Sequence, residues 1–184
     1  FKVQRDVLAQ YHVTDAATFY GGGERWKVPE DPAGSNSSLQ PPYYLSISRP
    51  GQKGGPYFSL TTVYLPNSRQ NLASFVSVNS DARDENYGKI RILRLPDSTQ
   101  VQGPSQIANA FASDEQIQNQ LLAFTRTNSE ALFGNLLTLP VGDGLLYVQP
   151  LYTLRQQGEG RYPVLRYVLV SFGKEVGFGP TLTA

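Results

Sequence analysis

The 184-residue sequence carries sixteen basic and fifteen acidic side chains, a formal charge of +1, so it offers no sequence-independent attraction to a phosphate backbone and nucleic acid is not expected as a partner. Cysteine is absent, which removes disulfides, thiolate metal sites and a cysteine nucleophile. Hydrophobic residues at 40%, with eleven Tyr and nine Phe, describe a folded chain, and the length suits a single soluble domain over residues 1–184 that buries roughly 70% of its unfolded surface.

In chain order, residues 1–12 place Val3, Val7, Leu8 and Tyr11 at helical spacing and predict a short amphipathic helix resting on that apolar stripe. Residues 21–40, with a Gly triplet, Pro29, Pro32 and the polar run from Gly34 to Ser38, lack periodicity and predict a long loop. Residues 43–48 and 57–64 are rich in aromatic and β-branched side chains. The Gly- and Pro-rich stretch 50–56 between them predicts an antiparallel pair. Residues 72–78 and 89–95 alternate as half-buried strands do, with Ile90 and Ile92 opposite Lys89 and Arg91. After Gly103-Pro104 two helices are expected, the second opened by a capping box of Ser113 and Gln116. A hairpin at Pro140 to Gly144 and a mostly buried strand over 164–172 complete the reading. Strands joined by short turns, with helices grouped rather than alternating, imply an α+β fold on a mainly antiparallel sheet with a few flanking helices.

The chemical inventory is thin. His12 is the single histidine, which excludes sites built from several imidazoles, and Asp15 three residues on is the one carboxylate placed by sequence to orient it. The alternative is structural, with His12 ending the first helix and Asp15 capping or turning the next segment. No Gly-x-Ser-x-Gly elbow, Walker loop or dinucleotide fingerprint occurs. Asp81 and Asp84, with Glu85 and Asn86 before Gly88, supply the oxygens a hard cation takes, but Arg83 sits among them and the EF-hand spacing is absent. Neither metal nor cofactor is therefore expected. Trp26 and Tyr43, in or beside the long loop, are the aromatic candidates for stacking on a ligand or for pinning the loop to the core. The sequon Asn36-Ser37-Ser38 carries weight only in a glycosylating compartment.

The run from Gly134 to Tyr152, two apolar segments hinged on Pro140-Val141-Gly142-Asp143-Gly144, combines with Tyr11-His12-Val13-Thr14-Asp15, Trp26-Lys27-Val28-Pro29 and Tyr87-Gly88-Lys89. Together they resemble the extracytoplasmic region of the bacterial UPF0182 membrane proteins. The resemblance implies a multi-pass membrane region N-terminal to these residues and a large domain outside the cytoplasm. It carries no catalytic residues or cofactor over to this chain. The absence of methionine, even at position 1, fits a piece of such a longer protein. The expected role is a non-catalytic interaction or scaffolding region at the cell membrane, whose partners are other envelope or membrane proteins or the rest of its own outer domain. An envelope hydrolase using His12, Asp15 and the Trp26 loop, or a solute-binding module, are the alternatives.

Overall fold

The long run of Thr, Val, Tyr and Leu at 57–66 builds a ten-residue strand, and the sheet of the first half of the chain forms around it. The computed structural model describes residues 1–34, 38–48, 55–96, 98, 100–155 and 162–181. Two compact units succeed one another along the chain, Phe1–Gln106 and Ile107–Ala184. Each holds an antiparallel sheet, so the fold is α+β. The residues 50–54 of the expected turn, Asn36-Ser37 of the sequon and residues 156–161 lie outside the described residues.

Unit 1 begins with helices α1 (Lys2–Tyr11) and α2 (Ala16–Gly21). The strands β1 (Trp26–Lys27), β2 (Tyr43–Ile47), β3 (Tyr57–Pro66), β4 (Ser74–Asn79) and β5 (Ile90–Arg94) come next. The sheet order is β1-β3-β4-β5, with β2 also paired to β3, all antiparallel. Register places Leu60, Tyr64, Val76, Val78, Ile90 and Ile92 on one face, because side chains alternate along each strand. On that face Ala9, Trp26, Val28, Tyr64 and Val76 form a buried cluster, with Phe1 and Leu8 packed against it.

The first helix forms where periodicity places it, but of the expected stripe only Leu8 packs on the core, while Val3, Val7 and Tyr11 face outward. Val3 is 74% and Tyr11 71% exposed, whereas Arg5 is 1% exposed and buried beside Ala9. Two interactions select this orientation. The Arg5 Nη1 donates to Gln40 O at 2.7 Å, and the Tyr64 hydroxyl donates to Arg5 O at 2.8 Å. The small Ala9 lets the helix approach the Trp26 and Tyr64 rings, which a branched residue would hold off. The expected loop at 21–40 also contains structure: α2 runs into its first residue, Trp26 and Lys27 pair with Pro66 and Leu65, and Glu30 bridges Leu39. Such short elements leave no periodic trace.

Unit 2 continues from α3 (Pro104–Ser113), which crosses the boundary between the units. It contains α4 (Glu115–Arg126), β6 (Ser129–Phe133), β7 (Leu137–Val141), β8 (Gly144–Arg155), β9 (Val164–Phe172) and β10 (Glu175–Gly179). The sheet order is β10-β9-β8-β6, with β7 also on β8. Asp114, not Ser113, caps α4, its carboxylate accepting from Gln116 N and Ile117 N at 3.0 Å. An ionised acceptor at a helix N-terminus outcompetes a hydroxyl one residue earlier. Of the turn residues Gly142, Asp143 and Gly144, only Gly142 has positive φ, at 56°. Gly144 is needed for space instead, since a Cβ there would lie 2.8 Å from the Phe172 ring. Pro150 sits inside β8 rather than at its end. It is tolerated because β7 pairs with residues 144–148 and β6 with 151–155. Gly134 N donates to Pro150 O in the gap between them, the side on which the missing N–H would also have pointed.

Replacing Arg5 by Ala should destabilise unit 1 by about 3 kcal/mol, through a buried cavity and the loss of the charged donor to the Gln40 carbonyl. Val7→Ala should stay within about 0.5 kcal/mol. Thermal and urea denaturation of the two variants reads the contrast, and equal losses would mean that α1 packs on its apolar stripe after all.

Candidate functional site

The residues singled out in the sequence fall at three places in unit 1. At the first, α1 ends at His12, whose ring stacks on Trp26 at 3.7 Å between centroids and 19° between planes. Trp26 stacks in turn on Tyr64 at 5.3 Å. Trp26 is 4% exposed, so its ring is committed to this column and offers no open face. The His12 Nδ1 lies 3.2 Å from Leu8 O, one helical turn back. Burial holds the imidazolium below its ordinary value, opposed by the backbone carbonyls of Leu8 and Ala9 and assisted by the charge of Arg94. Asp15 is engaged elsewhere. Its carboxylate accepts from Thr18 N and Thr18 Oγ1, both at 2.7 Å, as the cap of α2, and these bonds lower its pKa. No hydrogen bond or ion pair joins His12 to Asp15 among the described residues, so the geometry does not bring them together as a base and its orienting acid.

At the second place, Asp81 and Asp84 organise the connection from β4 to β5. Asp81 Oδ1 accepts from Arg83 N at 3.0 Å and Arg83 Nε at 3.2 Å, and these bonds lower its pKa. Asp84 receives Asn86 N at 2.8 Å and Asn79 Nδ2 at 2.8 Å. Both carboxylates thus face neighbours in their own turn. Among the described residues no three His, Asp or Glu side chains converge on a point where a metal could sit. Tyr43, on β2, is half-buried; burial, and then the charge of Asp31, push its hydroxyl up to about 12, so it stays a neutral phenol.

The third place was not legible. A cleft of about 470 Å³ opens on the α1 face of the sheet, between the first turn of α1 and the turn at 80–88, with Tyr44, Phe58, Leu60, Val78, Tyr87 and Ile90 among its walls. Strand alternation sends Tyr43 and its neighbour Tyr44 to opposite faces, and the register Tyr44↔Leu60 assigns Tyr44 to the cleft. Sequence shows the alternation but not which face α1 covers.

The sequence profile described as "Uncharacterised protein family (UPF0182)" matches residues 1–124, about two thirds of the chain. The chain belongs to the UPF0182 family. UPF0182 proteins from Nocardioides sp. and Thermobifida fusca are 49% and 48% identical over 182 and 185 aligned residues, 99% of this chain in each case. One from Streptomyces coelicolor is 48% identical over 184 residues, 100% of this chain. This UPF0182 chain spans 18% of the length of each of these relatives. No solved structure matches it.

Burial of His12 should make stability depend on pH. Above about pH 6.5 the ring is neutral folded and unfolded, and no penalty arises. Below it the unfolded chain takes up the proton first, so stability falls with pH. His12→Phe keeps the stack and should flatten that part of the profile between about pH 7.5 and 5, as read by melting temperature. An unchanged slope would show that another group carries it.

Proposed function

We propose that this chain is part of the extracytoplasmic region of a bacterial multi-pass membrane protein, where it binds and scaffolds rather than catalyses. The membrane-spanning part would lie elsewhere in the longer polypeptide, since no helix among the described residues is long and apolar enough to cross a bilayer. Family membership and the five-fold greater length of the relatives support reading it as one portion of a larger assembly.

The observation that carries the binding role is β5. It pairs with β4 on one side only, and its other edge meets no strand among the described residues. Ile90, Ile92 and Leu93 are 43%, 44% and 39% exposed along it. An open edge with apolar side chains is a template for another strand, and the interspersed Lys89, Arg91 and Arg94 discourage indiscriminate self-pairing. The occupant we assign is the rest of the same polypeptide, of which the relatives contain some four-fifths beyond this span. A docking surface within one chain needs no catalytic groups, in keeping with the structural engagement of His12 and Asp15.

Two measurements test this. A cysteine placed at the exposed Ser113 of a full-length protein lacking other thiols should react with a membrane-impermeant maleimide in intact cells; reaction only after lysis would remove the extracytoplasmic placement. Amide hydrogen exchange over residues 90–94 should be slower in the full-length protein than in the isolated chain, and equal rates would remove the docking role.

A further inference from the structure

We propose that the cleft at the open end of the α1 face is a binding site for a neutral oligosaccharide, a role distinct from strand docking on β5. Three features point to this ligand class. The first is aromatic surface without cover. Tyr44 and Phe58 lie parallel, 5.2 Å between centroids and 5° between planes, and remain 63% and 47% exposed. Tyr87, 63% exposed, lines the same cleft. A pyranose presents an apolar face of C–H groups that packs on such rings, while its hydroxyls at the rim need polar partners.

The second feature is the polar complement. Gln4 on α1 and Asn79 and Ser80 at the end of β4 line the cleft with the aromatic residues, and no Asp, Glu, Lys or Arg does. An ionic ligand would enter with no side chain of opposite charge to meet it, which is costly in a partly desolvated cleft. The Gln4 amide and the Tyr44 and Tyr87 hydroxyls make no hydrogen bond with other described residues, so they can serve a polyol without breaking internal bonds. A volume of about 470 Å³ lies within the span of small-ligand sites.

The third is rigidity. The turn carrying Tyr87 is tied down at both ends: Asn79 Nδ2 donates to Asp84 Oδ2 at 2.8 Å, and Asp81 N donates to Asn79 Oδ1 at 3.0 Å. Gly88 N donates to Asn79 O at 2.8 Å, closing the loop. Asp81 and Asp84 are thereby positioning residues for Tyr87, which lowers the ordering cost of binding.

The test is isothermal titration of the 184-residue chain with maltotriose, cellotriose and chitotriose, alongside saturation-transfer NMR on the unmutated protein. At least one trisaccharide should bind, with Tyr44→Ala and Tyr87→Ala each weakening it about tenfold or more. Gln4→Ala, on the exposed side of a helix, should weaken it less without altering the fold, and Tyr162→Ala in unit 2 should leave it unchanged. Saturation transfer should reach the sugar ring protons. No binding of any of the three at about 10 mM overturns the proposal, as does binding that persists in the Tyr44→Ala/Tyr87→Ala double variant. Tighter binding of a uronic-acid trisaccharide overturns the assignment to a neutral ligand. None of these outcomes bears on β5 or on the side of the membrane, so the two readings fail separately.

Discussion

Unit 1 depends on how one guanidinium is kept out of water. Arg5 cannot shed its proton, so its burial requires acceptors. It finds the Gln40 carbonyl at 2.7 Å and, at its edge, the Asp6 carboxylate at 3.6 Å, close enough for an ion pair though too long for a hydrogen bond. Gln40 N is itself bound to Pro29 O, and Tyr64 reaches back to Arg5 O. The helix, Gln40 with Pro29, and the central strand β3 are thus held through one residue, by its side chain on one side and its main-chain carbonyl on the other. Charge-assisted bonds in a buried setting are directional and costly to leave unmade, so this contact, together with the apolar cluster beside it, favours the rotation of α1 that faces Arg5 inward.

That rotation has consequences at both ends of the helix. At its C-terminal end it delivers His12 onto Trp26 and hence onto Tyr64, a column in which the histidine acts as a flat, neutral ring. At its N-terminal end the first turn of α1, with Gln4, lines the cleft together with Tyr44, Phe58 and Ile90. The residues with the most acid–base potential are therefore spent on helix ends and turns. Aromatic rings, amides and a strand edge are what stay exposed.

Much of the architecture was legible because it arises from local pattern. Alternation in 57–66 and 89–95 reflects pleated strands, and the Pro and Gly residues at 140–144 reflect a hairpin whose turn needs Gly142 at positive φ. The strands β6 and β10, by contrast, are five residues each, and Glu130, Gly177 and Gly179 interrupt their apolar character. They are strands because β8 and β9 offer edges to pair with, a condition no local window contains. Asp114 replaced Ser113 as a cap for an electrostatic reason visible only once the helix start is placed.

The site divides along the same line. Sequence by itself determined the inventory: one imidazole, no thiol, near-neutral charge, aromatic residues at alternate strand positions and the motifs of the UPF0182 family. It also determined where helices and the longer strands form, because period and turn chemistry are properties of neighbouring residues. Tertiary structure alone decided that Arg5 goes in while Val3 stays out, that Trp26 closes a core, and that Tyr44 rather than Tyr43 meets the cleft. Each of these turns on which of two faces a distant segment covers. For Arg5 the contact involved is a buried hydrogen bond to a residue 35 positions away, where hydrophobicity read along the chain points the other way.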